Sequence, residues 1–145
     1  MIRRIPTFLL RSTRDGPTGT IALIVRLAAG IAILLIGIGK FTSYSSEVGD
    51  FRHYGVPAPH VAVILAGIVE VLGGLLVVVG LATRLAAGAV ALNLVVAVLT
   101  AGRVDGGFFH LVIGPTLLVA MVVLVVLGCG TAGLDGVIER RRRSD

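Results

Sequence analysis

Four apolar runs, each close to the length of a bilayer crossing, alternate with short polar segments. A spanning helix needs about 20 predominantly apolar residues. The first run extends from about Thr20 to Phe41 and the second from about His60 to Ala82. The third, about Leu85 to Ala101, is near the lower limit, and the fourth runs from about Phe108 to Leu127. The pattern predicts an all-α integral membrane four-helix bundle over residues 20–128. A basic arm over 1–19 precedes it and a basic tail over 129–145 follows.

The connections carry their own signals. Residues 42–57 hold Ser43, Ser45, Ser46, Glu47, Asp50, Arg52 and His53, and the stretch ends in Gly55-Val56-Pro57-Ala58-Pro59. This reads as a polar loop with no long helix. Gly80-Leu81-Ala82-Thr83-Arg84 and Ala101 to Gly107 read as tight turns.

Composition agrees with the pattern. Hydrophobic residues make up 56% of the 145 positions and charged residues 14%, against about 25% in ordinary soluble domains. Lipid is therefore the expected solvent. The net charge of +5 gathers at the chain ends and in short connections. That placement signals topology and carries no sign of a nucleic-acid groove. The N-terminal arm holds Arg3, Arg4, Arg11 and Arg14, the second connection Arg84, and the tail Arg140 to Arg143. The opposite side has Lys40, Arg52 and Arg103. The excess places both termini and the Arg84 turn in the cytoplasm. The first run lacks a cleavage pattern, so it is expected to be a retained helix. The arm from Ile2 to Leu10 could lie on the membrane surface or serve topology alone.

Ionisable groups inside a bilayer are costly and by default suggest function. Arg26 in the first helix and Glu70 in the second stand out, and Asn93 in the third joins them. Counted from the cytoplasmic ends, they lie about 9, 18 and 12 Å deep. An Arg26–Glu70 ion pair is within reach at those depths. Small residues mark the faces where membrane helices touch. Arg26, Gly30, Gly37 and Lys40 share one stripe. Ala66, Glu70 and Gly74 share another, and Ala86, Ala89, Asn93, Ala97 and Thr100 a third. The internal polar site is thus expected at Arg26, Glu70 and Asn93, either as a packing device or as a ligand or ion site.

Lys40, His60 and His110 mark the outer face. Two histidines at matching depth could ligate haem, but no third ligand is evident and no metal site is predicted. Gly114-Pro115 is expected to kink the fourth helix. The one cysteine, Cys129, excludes an internal disulfide, so any thiol chemistry needs a partner's sulfur. It could equally be a small interfacial residue or a lipidation site. No Walker loop, zinc motif or Ser-His-Asp set is present.

With those residues placed, the sequence resembles the DoxX family of small four-helix membrane proteins. The resemblance rests on Arg26-Leu27 with Gly30, Gly37 and Lys40, then Phe51, Gly55 and Pro57, then Glu70, Gly73 and Gly74. It continues through Gly80-Leu81, Thr83-Arg84 and Ala86-Ala87 to Gly106-Gly107-Phe108, Gly128, Gly130, Leu134 and Asp135. It covers about residues 20–138. One departure is that many relatives carry a Glu near the start of helix four, where this chain reads His110 to Pro115.

The resemblance implies membrane redox work in a bacterial plasma membrane. Relatives include subunits of thiosulfate:quinone oxidoreductases and proteins of oxidative-stress complexes that join a superoxide dismutase and a sulfurtransferase at the membrane. The leading expectation is a subunit of such a thiol- or quinone-linked system, with quinone as the candidate ligand and Arg84 holding the cytoplasmic turn or a partner. The chain offers no electron-carrying centre of its own, so at most it is an oxidoreductase subunit that needs partners. The alternatives are a non-enzymatic anchor for cytosolic proteins and an oligomeric small-molecule or lipid transporter.

Overall fold

The computed structural model describes residues 17–130 and 133–138. The basic arm, with Arg3, Arg4, Arg11 and Arg14, and the tail arginines 140–143 lie outside the described residues. The elements are α1 (Pro17–Thr42), α2 (Tyr44–His53), α3 (Pro59–Val79), α4 (Thr83–Val104), a π-helical turn (Phe109–Ile113) and α5 (Gly114–Leu127). All four candidate spans are long and apolar enough to cross a bilayer, the last comprising the π turn and α5 together. No strand occurs among the described residues.

Around the bundle, α1 packs against α3, α3 against α4, α4 against α5, and α5 back against α1. The chain runs up and down, so α2 caps one end and the Gly80 turn lies at the other. Ile33, Val77, Ala87, Val90, Met121 and Leu124 fill the centre. Large apolar side chains such as Ile24, Leu35, Leu65, Leu92 and Val119 point outward. That inversion suits lipid, since backbone polar groups are satisfied within the helices.

The tightest contact is between α1 and α3. A Cβ added at Gly74 would lie 2.7 Å from the Leu34 backbone nitrogen and 3.0 Å from the Gly30 carbonyl oxygen. Small residues here let two backbones approach, as membrane packing favours.

Three expectations are corrected. The segment predicted as a polar loop contains the ten-residue helix α2, which buries Val48. Its Glu47 lies in the first turn and Arg52 and His53 in the last, each favourable to the helix dipole. The Gly-Pro stretch ends that helix rather than preventing it. Gly55, at φ 72°, closes it with Gly55 N–H to Arg52 O and Val56 N–H to Phe51 O bonds. The third span is not short: α4 has 22 residues, taking in Thr83 and Arg84 at one end and Gly102 to Val104 at the other. The turns there shrink accordingly. Finally, the inward stripe of α4 is Ala86, Ala87, Val90, Leu94 and Ala101, while Ala89 is exposed and Asn93 half-buried. Asn93 sits on the flank facing α3, where its partner is. At Gly114-Pro115 the helix accommodates the proline through the preceding π turn, with Thr116 Oγ1 donating to the Val112 carbonyl at 2.7 Å.

Candidate functional site: a polar group in the α3–α4 cleft

Helical spacing places Ala62, Ala66 and Glu70 along one line of α3, and Asn93, Ala97 and Thr100 along the facing line of α4. The small residues among them leave room that larger ones would fill. The result is a cleft of about 210 Å³ between the two helices, roofed by Phe51 of α2 and by Tyr54 just after it. Leu65 and Val96, both more than half exposed, flank it on the outer surface.

The polar groups gather deep in this cleft. Asn93 Nδ2 donates to Glu70 Oε1 at 2.9 Å. Lys40 Nζ lies 3.7 Å from Glu70 Oε2, close enough for an ion pair and too long for a hydrogen bond. Lys40 instead donates to Glu47 Oε2 at 3.2 Å and sits 5.5 Å from the centre of the Phe51 ring. Glu70 is 4% exposed, and its Oε2 has no hydrogen-bond partner among the described residues. A buried carboxylate oxygen without a donor is costly and marks a place where a further donor would be favourable.

Two aromatic groups fasten the roof. Tyr54 donates its hydroxyl to Asp105 Oδ2 at 2.6 Å, and His53 Nε2 lies 3.6 Å from Asp105 Oδ1. Burial, then the bond to Asp105, raises the Tyr54 hydroxyl's pKa above the usual phenol value, so it remains a donor across the physiological range.

The predicted site residues therefore separate. Glu70 and Asn93 come together, and Lys40, expected only as an outer-face marker, completes their group. Arg26 does not join them. It donates from Nη1 to the Cys129 carbonyl at 2.6 Å, at the Gly80 end. The expected Arg26–Glu70 pair is not formed. Arg26 reaches toward its own end of α1, and Glu70 is level with Lys40, about four helical turns further on.

The Gly80 end is a structural lock. Asp135 accepts from Ala82 N–H at 2.7 Å, from Thr83 N–H at 2.9 Å and from Thr83 Oγ1 at 3.1 Å. Its own N–H donates to the Gly80 carbonyl at 2.9 Å. The tail thus caps α4 across 52 residues of sequence. Cys129 is 1% exposed within this lock. Arg84 donates to the Val126 carbonyl at 2.8 Å and ties the start of α4 to the end of α5.

The two outer histidines have different neighbours. His60 Nδ1 is 3.1 Å from the Tyr44 hydroxyl, away from the cleft. His110 stacks edge-on against Tyr54 and Phe109, with ring centres 5.9 and 5.4 Å away. It lines a second chamber of about 50 Å³ on the inner side of Glu70. Among the described residues no group of three or more His, Cys, Asp or Glu could hold a metal ion. Sequence reasoning missed Phe51, Tyr54 and Asp105, because a connection has no periodic face to reveal which side chains turn inward. Lys40, the chain's sole lysine, is the one sequence signal that this end of α1 carries a cation, which is partly buried.

Comparison with known proteins agrees with this architecture. The chain is 39% identical over 99 residues to "Uncharacterized membrane protein Rv3486" of Mycobacterium tuberculosis, covering 65% of this chain and 59% of that one. It is 36% identical over 78 residues to "Putative oxidoreductase CatD" of Bacillus subtilis, covering 54% and 57% respectively. The matches thus span somewhat over half the length of these curated relatives. No solved structure matches. The sequence model of the DoxX family matches residues 21–103, a stretch that holds Arg26, Lys40, Glu70 and Asn93, and the chain belongs to the DoxX family.

Proposed function

We propose that this protein is a membrane subunit of a redox system and that its α3–α4 cleft holds the ring of a quinone-like molecule. The observation that carries this reading is the buried Glu70 carboxylate, fixed by Asn93 at one oxygen and lacking a donor at the other. A cleft of about 210 Å³ accommodates one substituted ring, while an apolar tail would pass between Leu65 and Val96 into lipid. Ligand sites of this kind combine apolar walls with a few convergent polar groups. The residues present fit such a group. Glu70 Oε2 would accept from a ring hydroxyl, Lys40 would donate to a ring oxygen, and Phe51 and Tyr54 would cover the ring from water. Bound quinone would supply two-electron, two-proton redox chemistry, and a partner protein would supply the electron-carrying centre. The name of the Bacillus relative, an oxidoreductase, leans the same way.

The test is quinone carried through purification in mild detergent, measured by mass spectrometry. Wild type is expected to retain near-stoichiometric quinone. Glu70→Gln, which keeps the shape but weakens a charge-assisted bond, is expected to retain about tenfold less or lower while staying folded. Wild type with no enrichment over an unrelated membrane protein would shift the reading to a non-enzymatic anchor.

The arginine distribution supports an orientation with both termini and the Arg84 turn in the cytoplasm and α2 outside. Ser46→Cys, exposed on α2, should react with a membrane-impermeant maleimide in intact cells. Ser144→Cys should react only after permeabilisation, and the reverse pattern would invert the topology.

A further inference from the structure

Glu70 stands between two cavities. The cleft lies on its lipid side and the 50 Å³ chamber on its inner side, and Glu70 and Lys40 line both. The chamber is bounded on its far side by His110, on the π turn, and by Phe109, Gly114 and Leu117. A space of this size, with a carboxylate, an ammonium and an imidazole in its wall, has room and partners for water. His110 in turn is half-buried and touches Tyr54, which bonds to the exposed Asp105. Glu70, the chamber, His110, Tyr54 and Asp105 thus lie in order from the cleft to the surface at the α2 end. A histidine is the side chain suited to pass protons at physiological pH.

We propose that Glu70 exchanges protons between the α3–α4 cleft and the aqueous surface at the α2 end, by way of the inner chamber and His110. In the outward direction, Glu70 Oε2 accepts a proton from a hydroxyl in the cleft as that O–H bond breaks. The proton then passes to chamber water, to one ring nitrogen of His110, and from the other ring nitrogen to bulk water. No electron moves in these steps. The groups that face Glu70 from the packed elements are Lys40 on α1, Glu47 on α2, Asn93 on α4 and His110 across the chamber. Lys40 lies between the two glutamates, 3.2 Å from Glu47 Oε2 and 3.7 Å from Glu70 Oε2. As a proton outlet for the cleft the route rests on the ligand reading above, but the exchange itself needs no ligand.

The test uses quinone-free protein reconstituted in phosphatidylcholine vesicles. The chain has only three glutamates, Glu47, Glu70 and Glu139, so carbon-13 glutamate labelling and a Glu70→Gln reference assign the Glu70 carboxyl band in the infrared. After a rapid change of external pH, that band is expected to follow in wild type and in His60→Phe. In His110→Phe, which preserves the ring contacts, it should follow about tenfold more slowly or worse. His110→Gln, which keeps a polar side chain but cannot carry the proton, should slow it as well. A Glu70 band that ignores pH in wild type would overturn the proposal. So would wild-type rates in both His110 variants. Loss of quinone retention with normal proton exchange would sink the ligand reading alone.

Discussion

Gly74→Leu is expected to prevent the bundle from assembling, and Gly39→Leu to leave it intact. Both glycines lie in spanning helices, Gly74 in α3 and Gly39 in α1. At Gly74 the first added carbon would meet the backbone of α1, 2.7 Å from Leu34 nitrogen and 3.0 Å from Gly30 oxygen. Backbone cannot swing aside as a side chain can, so α1 and α3 would have to separate. Overpacking in a closed core costs about 1–3 kcal/mol, and a clash against main chain belongs at or above the top of that range. At Gly39 nothing lies within 4 Å. Size-exclusion profiles and thermal unfolding in detergent check the contrast. Gly74→Leu should aggregate, or melt on the order of 10 °C lower, while Gly39→Leu matches wild type. Equal behaviour of the two variants would mean that the α1–α3 contact is looser than described.

Asp135→Ala is expected to be the most damaging single change outside the spans. The carboxylate accepts three hydrogen bonds from the start of α4. It also holds Ala82 in a left-handed backbone conformation, φ 47°, which costs a non-glycine residue about 1–2 kcal/mol. Loss of a helix cap costs about 0.5–2 kcal/mol, and bonds to an ionised carboxylate are about twice as strong as neutral ones, so the loss of all three is about 2–4 kcal/mol. Ala82→Gly in the Asp135→Ala background should recover part of the loss, because glycine adopts positive φ without a Cβ penalty. Thermal unfolding of the two variants reads this directly. No recovery would mean that the hydrogen bonds, not the backbone conformation, carry the effect. The quinone retained per folded protein should change little, since the lock lies at the end of the bundle away from the cleft.

The relation between the two ends explains why one conspicuous residue proved misleading. Arg26 looked like the natural partner of Glu70 because both are charged and both lie inside the membrane. In three dimensions each charge meets its neighbours at its own level, Arg26 a tail carbonyl and Glu70 the Asn93 amide and the Lys40 ammonium. A long cation reaches toward the nearer end of its helix, where desolvation is least. Depth alone therefore separates the pair more surely than side-chain reach joins it.

The sequence by itself determined the number of crossings, the all-α fold and the DoxX family. The reason is that bilayer thickness and unsatisfied backbone groups leave apolar runs of this length one solution. Helical periodicity, being local, also put Glu70 on an inward face of α3, whereas Asn93 lies on the flank of α4 and not on its inward stripe. What only the tertiary structure decided was the company those residues keep. Lys40 joins Glu70 through the pairing of α1 with α3. Phe51 and Tyr54 roof the cleft because α2 folds back as a helix. Asp135 finds the start of α4 from 52 residues away. Each of these contacts is set by how the elements pack in three dimensions, and no periodicity along a single helix encodes it.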